Sequence, residues 1–407
     1  MNPPSRFRLA VVLSHPTQYY SPWFRWLASH TELDLRVFYL WDFGTSVRRD
    51  PLFQTAFKWD VDLLTGYASE FVPNLSRDPG THHFSGLRNP ALPARLEAWK
   101  PDAMLLYGYR SMSQVRAIAW ARRRRVPIIF RGDSHLLGRP VPGWSRALPL
   151  RWLFRRFAAF AYVGRANRGY FEAFGVPKEK LFFSPHSVDD RLFDPSDARN
   201  RTGVTALRRE LALPNGTKVV LFAGKMIASK QPRELLKAFM DLKIPNAALV
   251  FVGEGAEKQD LEAMAGGAKP GTVVFLPFAN QTEMPARYLL ADLFVLPSRG
   301  AYETWGLAVN EAMHMGVPCL VSDRVGCQED LVAPGETGWV FRSDSPADLS
   351  RQLAAALAAV ADPSTADRMR RSVGARIAGF TYAHTTRGLL SAVDFVSGRQ
   401  GRTVPCA

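Results

Sequence analysis

The chain has 407 residues, 47% of them hydrophobic and 22% charged, and carries a formal net charge of +15. That balance excludes a disordered or fibrous chain, and at about 100–200 residues per domain the length points to two folded domains. No run of about 18 apolar residues occurs, which excludes a spanning helix.

Three cysteines, Cys319, Cys327 and Cys406, show no metal-ligand spacing, so the expectation is a reducing, cytoplasmic setting with no disulfide framework. Met1 to Arg6 leads straight into a strand-like run, without the apolar core and small-residue site of a signal peptide.

The first predicted strand is Phe7–Leu13. The loop after it, Ser14-His15-Pro16-Thr17-Gln18-Tyr19-Tyr20, lies at a strand's carboxyl end, where His15, Thr17 and Gln18 are candidates for cleft or acceptor contact. Ser21 and Pro22 are expected to open a helix as cap and first-turn residue. A second strand, Asp34–Leu40, precedes a stretch from Asp42 to Arg95 with many loop signals and few clear periods. Asp60-Val-Asp62 in that stretch has the carboxylate spacing of some cation sites, but it sits in a poorly periodic loop, and no metal is expected.

Ala103–Tyr107 and Val126–Phe130 are the next strands, and the second runs into Arg131-Gly132-Asp133-Ser134-His135. Between Arg110 and Tyr170 there are fourteen Arg, no Lys and a single acid, Asp133. Such a block attracts polyanions. Within it, Pro142–Tyr162 mixes Trp144, Leu148, Leu150, Trp152, Leu153, Phe154, Phe157 and Phe160 with Arg146, Arg151, Arg155 and Arg156. Aromatics with Arg on one helix suit an anionic membrane surface, whereas a core-packed helix with one basic face is the alternative. No nucleic-acid recognition motif is present, so no nucleic-acid partner is expected.

Strands Phe160–Val163 and Leu181–Ser184 complete the first half. Ser187–Thr205 is polar, carries Pro195 and breaks the pattern, which places a domain boundary there and gives a first domain of 1–195. The second domain, 196–380, is expected to contain strands Lys218–Ala223, Ala247–Val252, Val273–Leu276, Leu293–Leu296, Pro318–Ser322 and Gly338–Phe341. Helical patterns Gln231–Leu242, Thr282–Leu290 and Pro346–Ala361 lie between them. Strands alternating with helices imply an α/β chain with two parallel, doubly wound sheets, whose facing carboxyl ends would share a cleft. Residues 381–407 read as a final helix and tail, with packing on the second domain or a return to the first both open.

The segment from Pro297 to Pro318 carries the chemistry. A strand runs into it, a helix is expected from about Thr304 to just before Gly316, Glu303 stands at the helix mouth, and Glu311 lies about two turns on. A carboxylate accepts paired hydrogen bonds from vicinal hydroxyls, and free N–H groups at a helix start suit a diphosphate. One segment therefore offers sugar, phosphate and ribose contacts in order. Gly306 lets the backbone come close to a ligand.

Glu303 and Glu311, separated by seven residues in Tyr-Glu-Thr-Trp-Gly-Leu-Ala-Val-Asn-Glu-Ala-Met, resemble the E-x7-E motif of glycosyltransferase family 4, the retaining enzymes of GT-B fold. The resemblance extends from about Val219 to Leu349 through Phe222-Ala-Gly224-Lys225 with Lys230, Phe251-Val-Gly253-Glu-Gly255, Phe278, Tyr288-Leu-Leu-Ala-Asp292 and Gly335-Glu-Thr-Gly338. Pro185-His-Ser-Val-Asp189 is similar to the family's Pro-Asn-Gly-Val-Asp turn.

The resemblance implies two Rossmann-like domains, with acceptor in the first and nucleotide-sugar donor in the second. It implies that Glu303 binds the donor sugar and Glu311 the ribose. Lys225 and Lys230 would face the diphosphate, which removes the need for a metal or other cofactor. Gly224, Gly253, Phe278, Thr304, Trp305, Gly306 and Leu307 would line the donor site. The family often has a His near the strand end that Asp133 and His135 follow, and both are candidates for the reacting centre. The family usually carries Arg where Lys225 stands, and Lys keeps the charge without the bidentate fork. The implied activity is transfer of a hexose-type sugar to a glycan or lipid-linked acceptor, in bacterial surface polysaccharide or glycolipid synthesis, by a cytoplasmic enzyme at the inner membrane face. A nucleotide-sugar epimerase of the same fold is the nearest rival. A basic nucleic-acid binder is more remote, and a nicotinamide oxidoreductase lacks its G-x-G-x-x-G.

Overall fold

The computed structural model describes residues 6–50, 55–140, 142–268, 272–300 and 303–398. Fifteen strands occur among them: β1 (Arg8–Leu13), β2 (Asp34–Tyr39), β3 (Arg48–Asp50), β4 (Thr55–Phe57), β5 (Ala68–Phe71), β6 (Ala103–Tyr107), β7 (Ile128–Arg131), β8 (Ala159–Tyr162), β9 (Leu181–Phe183), β10 (Lys218–Ala223), β11 (Ala247–Val252), β12 (Val273–Leu276), β13 (Leu293–Leu296), β14 (Cys319–Ser322) and β15 (Gly338–Phe341). The chain divides into two compact units. The first holds the residues up to Arg48, Val61–His186 and those from Tyr382 onward, and the second holds Arg49–Asp60 and Ser187–Thr381.

The first unit is built on a seven-stranded sheet in the order β5-β2-β1-β6-β7-β8-β9, parallel at every pairing. Its strands are apolar on both faces because both faces are covered. Ala10, Val12, Met104, Leu106 and Phe130 enter one core, while Leu9, Val11, Leu105 and Ile129 enter the other. Strand period two thus divides one apolar run between two layers. The final helix, Tyr382–Ser397, supplies Tyr382, Leu389, Leu390, Ala392 and Val393 to the second of these cores. A Cβ on Gly388 would stand 1.8 Å from the Phe183 carbonyl oxygen, so only glycine lets this helix approach β9 so closely.

The second unit has a six-stranded parallel sheet in the order β12-β11-β10-β13-β14-β15. Helices Pro232–Leu242 and Pro346–Ala361 bury Leu235, Leu236, Leu349 and Leu353 against Phe222, Leu249, Val295 and Leu320. In both sheets the chain winds one way and then reverses, between β1 and β6 in the first and between β10 and β13 in the second. Ligands of open parallel sheets bind outside the carboxyl ends of strands at such a reversal.

The units depart from the expected division. The first ends at His186, residues 49–60 cluster with the second, and the terminal helix belongs to the first. The polar stretch read as a linker contains the helix Ala198–Glu210, opened by an Asp197 side chain that accepts from Arg199 N. Its residues are mostly exposed, and packing of Gly203 close to Ala286 supplies the attachment that polar composition conceals. β5 is a short edge strand, Ala-Ser-Glu-Phe, without an apolar period. The helix Trp144–Phe154 is shorter than the mixed stretch suggested, since Phe157 and Phe160 are core residues of the first unit. The side chains of Trp144 and Arg146 lie outside the described residues. Among the described residues no helix is long and apolar enough to cross a membrane.

Candidate active site

At the reversal of the second sheet, the loops after β10 and β13 are tied together by Arg299 N donating to Ser229 O across 2.9 Å. Glu303 lies in the β13 loop, with its side chain only 12% exposed. Ser298 Oγ donates to Glu303 Oε2 at 2.7 Å, and the Lys230 ammonium pairs with the same oxygen. Lys230 comes from the 3-10 turn Ala228–Lys230, so the ion pair joins the two loops.

The helix starts at Leu307 and ends at His314, three residues later than expected at its N-terminus. Gly306 is the reason. Its φ of 99° is closed to ordinary side chains, and the chain turns there before the helix can begin. Glu303 therefore precedes a turn, and Glu311 lies about one helical turn from the start. Glu311 is 4% exposed, and its carboxylate accepts from Gln281 Nε2 at 2.9 Å and from Tyr288 OH at 2.7 Å. Both are neutral donors, and they meet the need of a buried carboxylate for hydrogen bonds.

The other donor-site candidates fall into two groups. Gly224 and Gly253 meet backbone to backbone, because a Cβ on Gly253 would be 2.1 Å from Gly224 O. Lys225 is half-buried beside them, and Thr304 and Leu307 are half-buried around the turn. Trp305 is a correction. Its indole is buried, donates from Nε1 to Asn310 Oδ1 at 2.8 Å and lies near Phe380, so its ring packs the interior and is not free to line a donor pocket. Phe278 is half-buried with Phe57 against it, ring centroids 4.6 Å apart.

In the first unit, His15, Thr17 and Gln18 follow β1 at that sheet's reversal. His15 lies between the edges of Trp41 and Phe43, and burial pushes its pKa down to about 4. Thr17 Oγ1 accepts from Tyr20 N at 3.2 Å, so Thr17 opens the helix Tyr20–His30 in place of the expected Ser21 cap. Gln18 is half-buried. Asp133 and His135 both follow β7. His135 Nδ1 accepts from Leu137 N at 3.1 Å, which leaves the proton of a neutral ring on Nε2. Asp133 Oδ2 stands 3.7 Å from His186 Nε2, and burial holds the His186 pKa below its ordinary value against the pull of that acid. Asp60 and Asp62 are each committed to a turn: Asp60 receives Thr282 N, and Asp62 receives Leu64 N and Thr65 N. Asp78, His82 and His83 come within 4.8 Å of one another on a loop of the first unit, joined by hydrogen bonds.

The profile of the glycosyl transferases group 1 family matches residues 204–373. Across 372 residues the chain is 31% identical to a D-inositol 3-phosphate glycosyltransferase of Nocardia farcinica, covering 81% of this chain and 79% of the relative. The chain belongs to the group 1 glycosyltransferases.

A GDP-mannose-dependent mannosyltransferase of Mycolicibacterium smegmatis is 32% identical over 49% of this glycosyltransferase and 53% of that protein. Among solved structures, a Rickettsia africae glycosyltransferase superposes with a TM-score of 0.73 at 10% identity, covering 97% of this chain and all 100% of that one. Anabaena HepE in complex with UDP and glucose superposes with a TM-score of 0.70 at 16% identity, covering 96% and 100%. These likenesses establish the GT-B fold of the enzyme.

The glycosyltransferase thus brings Glu303 and Lys230 into direct contact, and buries Glu311 against Gln281 and Tyr288 within the same unit. The residues that hold the two acids, Ser298, Gln281 and Tyr288, escape sequence reasoning as site residues. Tyr288 stands in a quoted motif, but its hydroxyl's partner 23 residues away is a tertiary contact. In the first unit the Arg131 side chain and the approach of His186 to Asp133 are not legible in the sequence. Burial of an Arg at 2% exposure is invisible inside a run of surface arginines.

Proposed function

We propose that this glycosyltransferase takes a hexose-type sugar from a nucleotide diphosphate sugar and transfers it, with retention at the anomeric carbon, to a glycan or lipid-linked acceptor. The setting would be bacterial surface polysaccharide or glycolipid synthesis. The observation that carries this reading is the pair of supported acids beside the β10–β13 reversal: Glu303 fixed by Ser298 and Lys230, and Glu311 fixed by Gln281 and Tyr288. Glu303 accepts from the donor sugar's hydroxyls and Glu311 from the ribose. Gly224, Gly306 and the start of the Leu307–His314 helix receive the diphosphate with Lys225. Breaking the sugar–phosphate bond places negative charge on the leaving oxygen and positive charge on the sugar. Fixed cations facing the first are the largest expected term. Lys230 serves both, since it neutralises Glu303 and can share its protons with a phosphate. The chain provides its own cations, so no metal is required. Asp133 and His135 are assigned to the reacting centre, and His15, Thr17 and Gln18 to cleft or acceptor contact. The Mycolicibacterium relative, whose name states GDP-mannose, supports a nucleotide-sugar donor.

Thermal-shift measurements with UDP, GDP and ADP sugars test the reading, because a ligand that binds only the folded chain raises its stability by mass action. One nucleotide class should raise the melting temperature of the wild type and not of Glu311→Ala. No shift with any class, or an equal shift in the variant, overturns it. Product anomeric configuration, read by NMR with EDTA present, checks retention and metal independence together.

A peripheral contact with the cytoplasmic membrane face belongs to the same proposal. On the helix Trp144–Phe154, Leu148 is 51% and Trp152 is 55% exposed, four residues apart on one side, with Arg151 and Arg155 exposed beside them. Sedimentation with anionic vesicles should recover the wild type in the pellet and leave Leu148→Ser/Trp152→Ser in the supernatant. Equal recovery of the two ends the idea.

A further inference from the structure

The strongest feature that the proposed chemistry leaves unused is a short segment of the N-terminal half that packs with the second unit. The chain belongs to the first unit up to Arg48 and again from Val61, while Arg49–Asp60 cluster with the second. Residues 55–60 meet a single loop, 278–282, more than two hundred residues away. The Phe57 ring tilts onto Phe278 at 4.6 Å between centroids, and Trp59 stands 6.5 Å from the same ring. Asn280 Nδ2 donates to Lys58 O at 2.8 Å, and Asn280 Oδ1 accepts from Asp60 N at 3.2 Å. The Asp60 carboxylate accepts from Thr282 N at 3.2 Å and from the Thr282 hydroxyl. An Asn280 side chain that both donates and accepts, a Thr282 that donates twice and an aromatic contact therefore hold the loop at three places.

The grip matters because of what lies in the middle of that loop. Gln281 stands between Asn280 and Thr282, is buried, and donates its Nε2 to Glu311 Oε1 at 2.9 Å. The side chain that orients the ribose acid is thus flanked on both sides by residues that the segment binds. Phe278 at the head of the loop has its ring against two further aromatics, the kind of surface on which a planar base stacks.

We propose that the segment Phe57–Asp60 is part of the nucleotide pocket, with Asp60 a positioning residue that fixes Gln281 and through it Glu311, and with Phe57 and Trp59 backing Phe278 as the platform for a nucleobase. This rests on the donor-site reading given above. The ligand class is a nucleoside diphosphate, alone or carrying its sugar. Asp60 is exposed and touches no reacting atom, so its loss loosens the nucleotide rather than slowing bond cleavage.

Calorimetric titration with UDP and with GDP, together with initial rates, tests the assignment on Asp60→Ala, Phe57→Ala, their combination, Asp60→Asn and Glu311→Ala. The combined variant should bind its nucleoside diphosphate about tenfold more weakly, the size expected when a charge-assisted contact is lost. Donor KM should rise in parallel, with kcat within about twofold. Asp60→Asn keeps an oxygen for the Thr282 donors and should recover most of the affinity, which a merely destabilised fold would not show. Wild-type affinity in the combined variant, alongside loss in Glu311→Ala, overturns the segment's role and leaves the donor site standing. Wild-type affinity in both overturns the donor site and this inference with it.

Discussion

Lys230 and Glu303 form an ion pair from loops that follow neighbouring strands, and the acid oxygen they share also receives the Ser298 hydroxyl. The Lys side chain is 26% exposed and that of Glu 12%, so the pair is partly withdrawn from water. Removing the cation takes the counter-charge from a partly withdrawn carboxylate, a costlier state than removing both charges. Lys230→Met should lower stability by about 1–2 kcal/mol and turnover by about a hundredfold. Lys230→Met/Glu303→Gln should regain most of the stability and none of the activity. Urea unfolding and initial rates measure the two separately. Recovery of turnover in the double variant would show that the pair has only a structural role.

Tyr288 and Gln281 give a second, separable prediction. Each donates to one oxygen of Glu311, and Tyr288 is 1% exposed. Tyr288→Phe keeps the ring and deletes one hydrogen bond to a charged group, worth about 1.5–3 kcal/mol. The freed oxygen becomes less well aimed at a ribose, so nucleoside diphosphate affinity should fall about tenfold while kcat stays within about threefold. A fall in kcat with unchanged affinity would place Glu311 at the reacting centre instead.

The sheets were legible because their strands are apolar on both faces, and runs such as Met104-Leu105-Leu106 announce that without any partner. The E-x7-E segment was legible for another reason: two acids after a strand, beside a glycine, form a local pattern. What stayed hidden is long-range or conformational. Gly306 is plain in the sequence, but its positive φ, which delays the helix to Leu307, is not. Trp305 reads as a cleft aromatic until Asn310 and Phe380 claim its ring. The segment around Asp60 has no period of its own, since its partners lie 222 residues on. Gln281, which donates to Glu311, is one polar side chain among several in a loop.

Acid should weaken the fold through two half-buried histidines. Burial pushes both His15 and His314 down to about 4 from an ordinary 6.5. In the unfolded chain they take up protons near 6.5, and in the folded chain only near 4. Across that window the unfolded state binds more protons, so stability is complete above 6.5 and is lost as pH falls toward 4. Each histidine contributes a slope of about 1.4 kcal/mol per pH unit at most. Denaturant midpoints at pH 7, 6 and 5 should fall steadily for the wild type and less steeply for His314→Gln. An identical slope would mean that His314 titrates alike in both states.

Arg131 supplies the last prediction and corrects the view that the arginine-rich block is only a charged surface. It ends β7, is 2% exposed, and lies with its guanidinium carbon 5.2 Å from the centroid of the Trp23 ring. Nη1 donates to Ser184 O at 2.7 Å and to Ser184 Oγ at 2.8 Å, and Nη2 donates to Pro185 O at 3.3 Å. The same two residues meet the terminal helix through Ser184 Oγ donating to Thr385 O and Thr385 Oγ1 donating to Pro185 O. Arg131 therefore closes a polar knot between β7, the end of β9 and that helix. Methionine would fill much of the volume but leave those acceptors short of a buried donor, and lysine has no planar fork to serve both carbonyls. Arg131→Met should cost about 2–4 kcal/mol and Arg131→Lys somewhat less. Exchange of the amide hydrogens in Tyr382–Ser397 should accelerate in both. A cost below about 0.5 kcal/mol, the range of ordinary surface changes, would return Arg131 to the solvated face with its neighbours in sequence.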